Sequence, residues 1–405
     1  MEVLERSDRQ VLLRHAARFG PVFKAVAYDV LWVCIVDLAT GRRLLRDHAE
    51  QLKPVTLALP YVPGGFLRQM QGETHRKYRR AVMHSVLDGD TIAQRAVLES
   101  IARDALRDYA RSAASNGSSA TAYLDTLNAI ATGMLLVLFF GVAPGSAPYE
   151  RLDRGFNELG PHHLVWHVGE REKQAFEAIR ACLLELRSAR ASPPPGAAAS
   201  ILDRALAQDA LDETLLGNFI YMVEMGRYDT RGLFRWLSKY TAEQPELLTR
   251  MAAEPDRPGA ERSFAEAFVL ETLRMDQSER LIRLALNDIE FEGYFIPRDT
   301  RVRVCLWESH KSEASFPDAL KFHPERFLNA NFGNDQFAPF GLDQHQCPFG
   351  SVVMQTSLSF LRALARGYSI TATHEGQPVR GIYVWEPANE FSVRLSARVA
   401  ASNAG

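Results

Sequence analysis

The sequence contains little cysteine and almost no charge imbalance. Only four cysteines occur in 405 residues, and none of them forms a CxxC pair, which argues against a zinc ribbon and against a dense disulfide framework. The 47 Lys and Arg residues nearly balance the 49 Asp and Glu residues, for a formal net charge of −2. No general electrostatic field therefore attracts nucleic acid or an anionic membrane, and a reducing intracellular environment is expected.

Long apolar segments are also missing. The most apolar run, Met134 to Phe140, lies between Gly133 and Gly141 and is far shorter than the roughly 20 residues that span a bilayer. The first ten residues, MEVLERSDRQ, are charged and lack the apolar core of a secretory signal. We therefore expect a cytoplasmic protein without a membrane anchor, in which the run at Met134 is a buried helix.

Helical periodicity dominates the middle of the chain. Apolar residues recur at helical spacing over 91–141 and 170–190. Residues 211–240 keep one apolar face over many turns, which predicts a single long buried helix. With 46% apolar and 24% charged residues, the composition is that of an ordinary globular protein.

Three segments read as β-structure. Residues 23–37 are rich in β-branched and aromatic side chains, and 289–306 alternate around Pro297-Arg298-Asp299, which predicts a hairpin turning at that tripeptide. Short strands are expected after Tyr368. The predicted fold is mainly α with small antiparallel β-sheets, an α+β arrangement. No linker divides it convincingly, so one domain over 1–405 is predicted.

A cysteine motif lies near the C-terminus, in FAPFGLDQHQCPFG. Phe340 and Gly341 form a predicted turn, His345 precedes Cys347 by two residues, and Pro348 follows it. Proline suits the first helical position, so we expect Cys347 at a helix N-terminus, where amides and the helix dipole stabilise a thiolate. Such a thiolate is a nucleophile or a metal ligand. Judged on the loop alone, a buried, unreactive cysteine is the more common case, since free cysteine is among the most buried residue types.

Three charged residues upstream are weak signals individually. Glu271 and Arg274 are three apart, on one face of a predicted helix, and Arg326 follows Pro324-Glu325. Pairs of this kind are usually solvated and contribute little to stability. Their order along the chain is more informative than any one of them.

The ordered set of motifs resembles the cytochrome P-450 superfamily over most of the chain. The set comprises His75-x-x-x-Arg79, Asp229-Thr230, Gln244-Pro245-Glu246, Glu271-x-x-Arg274, Arg283, Pro324-Glu325-Arg326-Phe327, Phe340-Gly341 and His345-x-Cys347. The resemblance implies the cytochrome P-450 fold, with a haem between the long helix and the cysteine loop. It implies that Cys347 is the axial thiolate of the iron, the ligand type that favours O–O cleavage.

The resemblance also implies roles for other residues. Glu271, Arg274 and Arg326 match the family's buried charge triad. The Asp229-Thr230 pair matches the acid and alcohol that relay protons during oxygen activation. The alternative is that Thr230 bonds to its own helix and Asp229 is solvated. The residues that match cofactor-binding positions are His75, Arg79, Arg283, Phe340, His345 and Cys347.

The implied activity is that of an O₂-activating monooxygenase with haem b (iron protoporphyrin IX) as its cofactor. Its substrate would be a small organic molecule, and association with the family implies specialised, natural-product metabolism. Electrons would come from a ferredoxin-like or flavodoxin-like donor with its reductase. An acidic donor would be attracted by basic residues at Arg76, Lys77, Arg79 and Arg80, although these also fit a merely solvated face.

Three positions depart from the family's pattern. Arg227 replaces a small residue on the apolar stripe of the long helix, and we hypothesise that it anchors an anionic substrate; pairing with Glu224 or Asp229 is the alternative. Asp343 replaces a customary glycine, and Phe349 a small residue. These changes leave coupling, cyclisation, dehydration or rearrangement open as reactions. They also leave open a haem- or ligand-binding protein that has lost oxygen activation.

Overall fold

The computed structural model describes residues 8–27, 30–55, 62, 64–87, 94–160, 169–189, 199–254, 262–276, 281–380 and 385–398. The chain divides into two compact units. The sheet unit comprises Met1–Thr56, Gly259–Cys347 and Gln377–Glu386. The helical unit comprises Leu57–Pro258, Pro348–Gly376 and Pro387–Gly405. The single domain stays a prediction.

The strands, in chain order, are β1 (Val22–Ala27), β2 (Val30–Ile35), β3 (Leu52–Pro54), β4 (Ile282–Ala285), β5 (Ile289–Phe291), β6 (Tyr294–Ile296), β7 (Arg301–Val304), β8 (Tyr368–His374), β9 (Val379–Arg380), β10 (Trp385–Glu386) and β11 (Ser392–Ala397). A five-stranded sheet has the order β1-β2-β7-β4-β3, in which only β2 and β7 run parallel. Inward residues such as Val33, Ile35, Val302 and Val304 are buried and form the core of the sheet unit. The predicted small sheets are therefore present.

The predicted hairpin at 289–306 is shorter than expected. β5 pairs with β6, and the two residues between them, Glu292 and Gly293, have φ of 49° and 80°. A two-residue turn with positive φ at both positions matches the twist of antiparallel strands, and glycine adopts it without strain. The predicted turn at Pro297-Arg298-Asp299 is present, with the Thr300 amide donating to the Pro297 carbonyl at 3.2 Å. It does not close a hairpin, as was predicted, because β7 pairs with β2 and β4 instead of β6.

The helices are α1 (Val11–Phe19), α2 (Leu38–Asp47), α3 (Gly72–Leu87), α4 (Arg95–Asn116), α5 (Ala120–Phe140), α6 (Ala147–Leu159), α7 (Glu170–Ala189), α8 (Ile201–Ala207), α9 (Glu213–Glu243), α10 (Pro245–Ala253), α11 (Phe264–Met275), α12 (Leu306–Ser309), α13 (Arg326–Asn329) and α14 (Gly350–Gly367). Helices α3 to α10 and α14 belong to the helical unit. The expected long helix is α9, which begins where the Asp212 side chain accepts a hydrogen bond from Leu215 N at 2.8 Å.

Helix α5 is the one helix among the described residues that is long and apolar enough to cross a bilayer. Its most apolar 18-residue segment has a mean hydropathy of 1.6, yet 72% of that segment is buried within the protein. Every residue from Met134 to Phe140 is buried, which confirms the predicted buried helix. Against α9, Phe139 meets Phe219 with ring centroids 6.2 Å apart, and the Tyr123 hydroxyl lies 2.6 Å from Ser238 Oγ. The two helices form the core of the helical unit.

Candidate functional site

The Cys loop, Phe340 to Cys347, presents a thiol at the surface of the sheet unit. Gly341 has φ of 87°, which glycine alone adopts freely, and the Cys347 amide donates to the Phe340 carbonyl at 2.8 Å. A single 3₁₀ turn, Asp343–His345, lies between them. Cys347 is reduced and exposed, whereas Cys34, Cys182 and Cys305 are buried. The interpretation of Cys347 as a buried, inert cysteine is therefore wrong.

The position of the following helix differs from the prediction. Helix α14 begins at Gly350 with Phe349 as its N-cap residue, and the Val353 amide donates to the Phe349 carbonyl at 2.9 Å. Pro348 therefore does not begin the helix, and Cys347 lies in the loop before it. Phe349 packs against Phe139, with ring centroids 5.0 Å apart. The Phe349 side chain, which stands where the family's pattern has a small residue, thus makes an apolar contact within the helical unit.

Asp343 ties the Cys loop to a buried arginine. Its Oδ2 accepts a hydrogen bond from Arg283 Nη2 at 2.8 Å, and its Oδ1 accepts from the His345 amide at 2.7 Å. The Arg283 and Asp343 side chains are 5% and 14% exposed. Asp343 has φ of 67°, so the loop keeps the left-handed conformation that a glycine would adopt there.

The charge triad forms as the resemblance implied. Glu271 accepts from Arg274 Nε and Nη2, both at 2.7 Å, and from Arg326 Nε at 3.1 Å. The Glu271 and Arg274 side chains are fully buried, and Arg326 is 7% exposed. Arg274 also donates to the carbonyls of His310 and Ala319, at 2.9 and 2.7 Å. The triad is a buried network that fixes chain segments, not a solvated surface pair.

A residue that the sequence analysis missed, His310, connects this network to the Cys loop. Its Nε2 accepts a hydrogen bond from the Ala338 amide at 2.9 Å, and the Ala338 carbonyl accepts from the Gly341 amide at 3.1 Å. Burial, together with the charges of Lys311 and Arg274, holds the pKa of His310 well below its usual value. The neutral ring can therefore act as an acceptor. No sequence pattern marks His310, because its partner is 28 residues away.

In the helical unit, Arg227 is enclosed by protein groups. Its Nε donates to Glu224 Oε2 at 3.0 Å, and its Nη2 donates to the Phe156 carbonyl at 2.6 Å and to the Tyr228 hydroxyl at 2.7 Å. The Arg227 and Glu224 side chains are 2% and 0% exposed. Desolvation outweighs the attraction of Arg227 and raises the pKa of Glu224 to about 7. The substrate-anchor hypothesis is therefore corrected: Arg227 pairs with Glu224, the alternative partner.

The remaining predicted residues of the helical unit lie on two helices. Thr230 is buried and Asp229 is partly buried on α9, next to the enclosed Arg227. His75 is buried and Arg79 is partly buried one helical turn apart on α3. The neighbouring Arg76, Lys77 and Arg80 are exposed. The structure thus places the predicted proton-relay pair and two predicted haem-binding residues in the helical unit, and the cysteine, Arg283, Phe340 and His345 in the sheet unit.

The Cytochrome P-450 family model matches residues 258–379, the segment that holds the charge triad and the Cys loop. The chain belongs to the cytochrome P-450 superfamily. It is similar to abscisic acid 8'-hydroxylase 1 of Arabidopsis thaliana, with 25% identity over 85% of this chain and 77% of that protein. The enzyme of the same name from Oryza sativa subsp. japonica is 24% identical, over 87% of this chain and 78% of that protein.

Solved structures agree with the predicted fold. A zebrafish cytochrome P-450 with progesterone has a TM-score of 0.74 and 18% identity, and the match covers 96% of this chain and 99% of that chain. A retinoic-acid-bound cyanobacterial protein has a TM-score of 0.73 and 18% identity, over 96% of this chain and 95% of that one. The cytochrome P-450 fold is confirmed, and the chain is a haem-thiolate monooxygenase.

The residues of this cytochrome P-450 fit its haem in their chemistry. Cys347 offers an exposed thiol, the soft ligand type for such an iron. Arg283 uses Nη1 for the Ile282 carbonyl and Nη2 for Asp343, and a guanidinium has five N–H donors, so it can also bind a propionate. Among the described residues, no group of three or more His, Cys, Asp and Glu side chains could hold a separate metal ion. Cys347 would supply the thiolate ligand of the haem iron.

Proposed function

We propose that this cytochrome P-450 uses haem b to hydroxylate a small organic substrate in specialised metabolism. The observation that carries the proposal is the exposed Cys347 thiol, held by a loop that is connected to a buried charge network. When bound, the haem supplies dioxygen activation, and the thiolate of Cys347 would donate electron density to it. The protein residues orient the substrate and handle protons.

The ligand assignment is tested by the spectrum of the reduced, carbon-monoxide-bound protein. Wild type and Cys182→Ala should give the same thiolate-type band, since Cys182 lies on α7, where it is buried. Cys347→His should bind haem without that band, because imidazole replaces sulfur. A thiolate-type band in Cys347→His would contradict the assignment. Extraction and mass measurement of the haem would separate haem b from other haems.

Asp229 and Thr230 are proposed to deliver protons to the oxygen that the haem activates. The buried hydroxyl of Thr230 can hold a proton at Oγ1, and the partly buried carboxyl of Asp229 can exchange protons with water. Thr230→Val should increase the hydrogen peroxide released per NADPH consumed and decrease the product formed. Thr249→Val, an exposed threonine on α10, is the control. If Thr230→Val releases the same amount of hydrogen peroxide per NADPH consumed as the wild type, the proton relay is refuted.

The proposed substrate is a mainly apolar molecule of isoprenoid type that needs no negative charge. The relatives named for abscisic acid and the neighbours solved with retinoic acid and progesterone support this size and polarity. The enclosure of Arg227 supports the lack of a charge requirement, because Glu224, the Phe156 carbonyl and the Tyr228 hydroxyl already accept hydrogen bonds from the guanidinium.

Spin-state titrations with those three compounds test the substrate proposal. Progesterone, which is neutral, should shift the spectrum at concentrations similar to or lower than those of the two carboxylic acids. Binding of the acids alone would overturn the claim that no charge is required. Product analysis then distinguishes hydroxylation from coupling, cyclisation, dehydration or rearrangement, and substrate-dependent NADPH consumption distinguishes an enzyme from a binding protein.

The proposed electron donor is an acidic ferredoxin-like or flavodoxin-like protein that docks on α3. The exposed guanidinium and ammonium groups of Arg76, Lys77 and Arg80 support this, since opposite charges accelerate encounter. Arg80→Glu should slow the first reduction and weaken its salt dependence. Arg187→Glu, an exposed arginine on α7, should have neither effect. Equal effects of the two variants would refute docking at α3.

A cytoplasmic location is proposed as well. Four reduced cysteines support it, and the apolar helix α5 is largely covered within the helical unit. Fractionation of expressing cells should recover the protein in the supernatant after high-speed centrifugation. Recovery in the membrane pellet that resists high salt would contradict the proposal.

A further inference from the structure

Asp343 makes two specific contacts with its carboxylate. One oxygen accepts from the His345 amide, two residues further along the 3₁₀ turn, at 2.7 Å, and the other accepts from the buried Arg283 at 2.8 Å. Because the two side chains are only 14% and 5% exposed, water screens this pair less than it screens a surface pair. The carboxylate therefore neutralises Arg283 within the protein itself.

The backbone at Asp343 has a conformation that is energetically unfavourable for a residue with a side chain. Its φ of 67° lies in the left-handed region, where a side chain costs about 1–2 kcal/mol relative to glycine. Aspartate and asparagine reduce that cost by local hydrogen bonds, as the bond to the His345 amide does here. A glycine would form the same turn without strain and without charge. The charge is thus the property that distinguishes Asp343 from the residue this turn prefers.

We propose that Asp343 is an internal counter-ion that competes with a haem propionate for Arg283. The inference rests on the haem assignment made above. Before haem binds, Arg283 is paired and the Cys loop is already positioned. After haem binds, two anions face one guanidinium, so the protein holds its haem less tightly and the ferric state is favoured more than it would be with a neutral residue. Asp343 is a positioning residue for the loop and sets the local charge.

Two variants separate charge from loop geometry. Asp343→Asn removes the charge but keeps an acceptor for the His345 amide and tolerates positive φ. Asp299→Asn is the matched control in the sheet unit. Asp299 also has positive φ, 64°, but its ion pair with Arg298 is long, at 3.6 Å, and exposed.

The measurements are the rate of haem transfer from the ferric holoenzyme to excess apomyoglobin and the midpoint potential of the ferric/ferrous couple. In Asp343→Asn, haem transfer should slow by about fivefold or more, a typical coupling between two competing sites, and the potential should rise. Asp299→Asn should change neither. If Asp343 only stabilises the turn through its bond to the His345 amide, the Asn variant will release haem at the wild-type rate or faster with an unchanged potential, which overturns the proposal.

Asp343→Gly provides a second test if the Asn variant does not accumulate. Glycine takes the turn conformation without strain, so its potential should also rise. A lower or unchanged potential in every folded variant refutes the counter-ion role. A wild-type protein without the thiolate-type carbon monoxide band would instead refute the haem-thiolate assignment, so the two failures are distinguishable.

Discussion

Replacing Arg227 by methionine leaves the buried carboxylate of Glu224, in the helical unit, without its ion-pair partner. Methionine keeps much of the side-chain volume, but it removes the bond to Glu224 at 3.0 Å and the donors to Phe156 O and the Tyr228 hydroxyl. Removing one partner of a buried ion pair costs about 3–5 kcal/mol. At a pH of about 8, where most of Glu224 is ionised, Arg227→Met should lower the free energy of unfolding by roughly that amount.

A double variant shows whether the loss comes from the pair. In Glu224→Gln/Arg227→Met both charges are gone, and such replacements are often nearly neutral. The double variant should therefore recover at least about 2 kcal/mol relative to Arg227→Met, measured by urea unfolding of the holoenzyme. Strict additivity of the two single losses would refute the reasoning, because it would mean that the side chains do not interact.

The same pair predicts a pH dependence. Burial raises the pKa of Glu224 from 4.5 to about 7, so the folded state holds a proton that the unfolded state has lost within that interval. The free energy of unfolding should then fall as pH rises from about 4.5 to 7, by about 1.4 kcal/mol per pH unit or roughly 3 kcal/mol in total. Glu224→Gln should remove this slope. A rise in stability over the interval would contradict the assignment. A selective loss of retinoic acid binding in Arg227→Met would revive the substrate-anchor hypothesis.

Two further substitutions test the sheet unit. Glu271→Gln leaves Arg274 and Arg326 without their buried anion and should lower the free energy of unfolding by about 3–5 kcal/mol; Glu292→Gln, in an exposed pair, should show no measurable change by the same denaturant titration. Gly341→Ala meets no neighbouring atom but forces a side chain to φ of 87°, so it should cost about 1–2 kcal/mol by thermal unfolding. Gly333→Ala, without positive φ, should not, and equal effects would contradict the role of the turn.

Local patterns in the sequence were enough to predict much of the fold. Helical periodicity located α9, and the composition of 23–37 located β1 and β2, because burial of one face imposes a period on neighbouring residues. The turn of the β5–β6 hairpin was misplaced. Proline and aspartate at 297–299 are a strong turn signal, but the choice of partner for β7 depends on strands far away in sequence.

The residues of the candidate site were predictable where they belong to motifs in a set order along the chain. They were less predictable where a side chain has several possible partners and tertiary packing decides which one it contacts. The spacing of Glu271 and Arg274 indicated a shared face, but only tertiary packing makes the pair fully buried. Arg227 had two possible acidic partners on its own helix, and the position of α6 adds Phe156 O as another acceptor. His310 carries no signal in its own segment, because its function as an acceptor depends on a distant amide.

The burial of α5 by α9 has a consequence for synthesis of the chain. Translation produces α5 first, and residues 141–212 must follow before α9 begins to emerge from the ribosome. At about 5–20 residues per second, this interval lasts roughly 4 to 14 seconds. During that time a helix apolar enough to enter a bilayer lacks the surface that later covers it. Nascent chains are therefore most susceptible to aggregation or chaperone capture in this window.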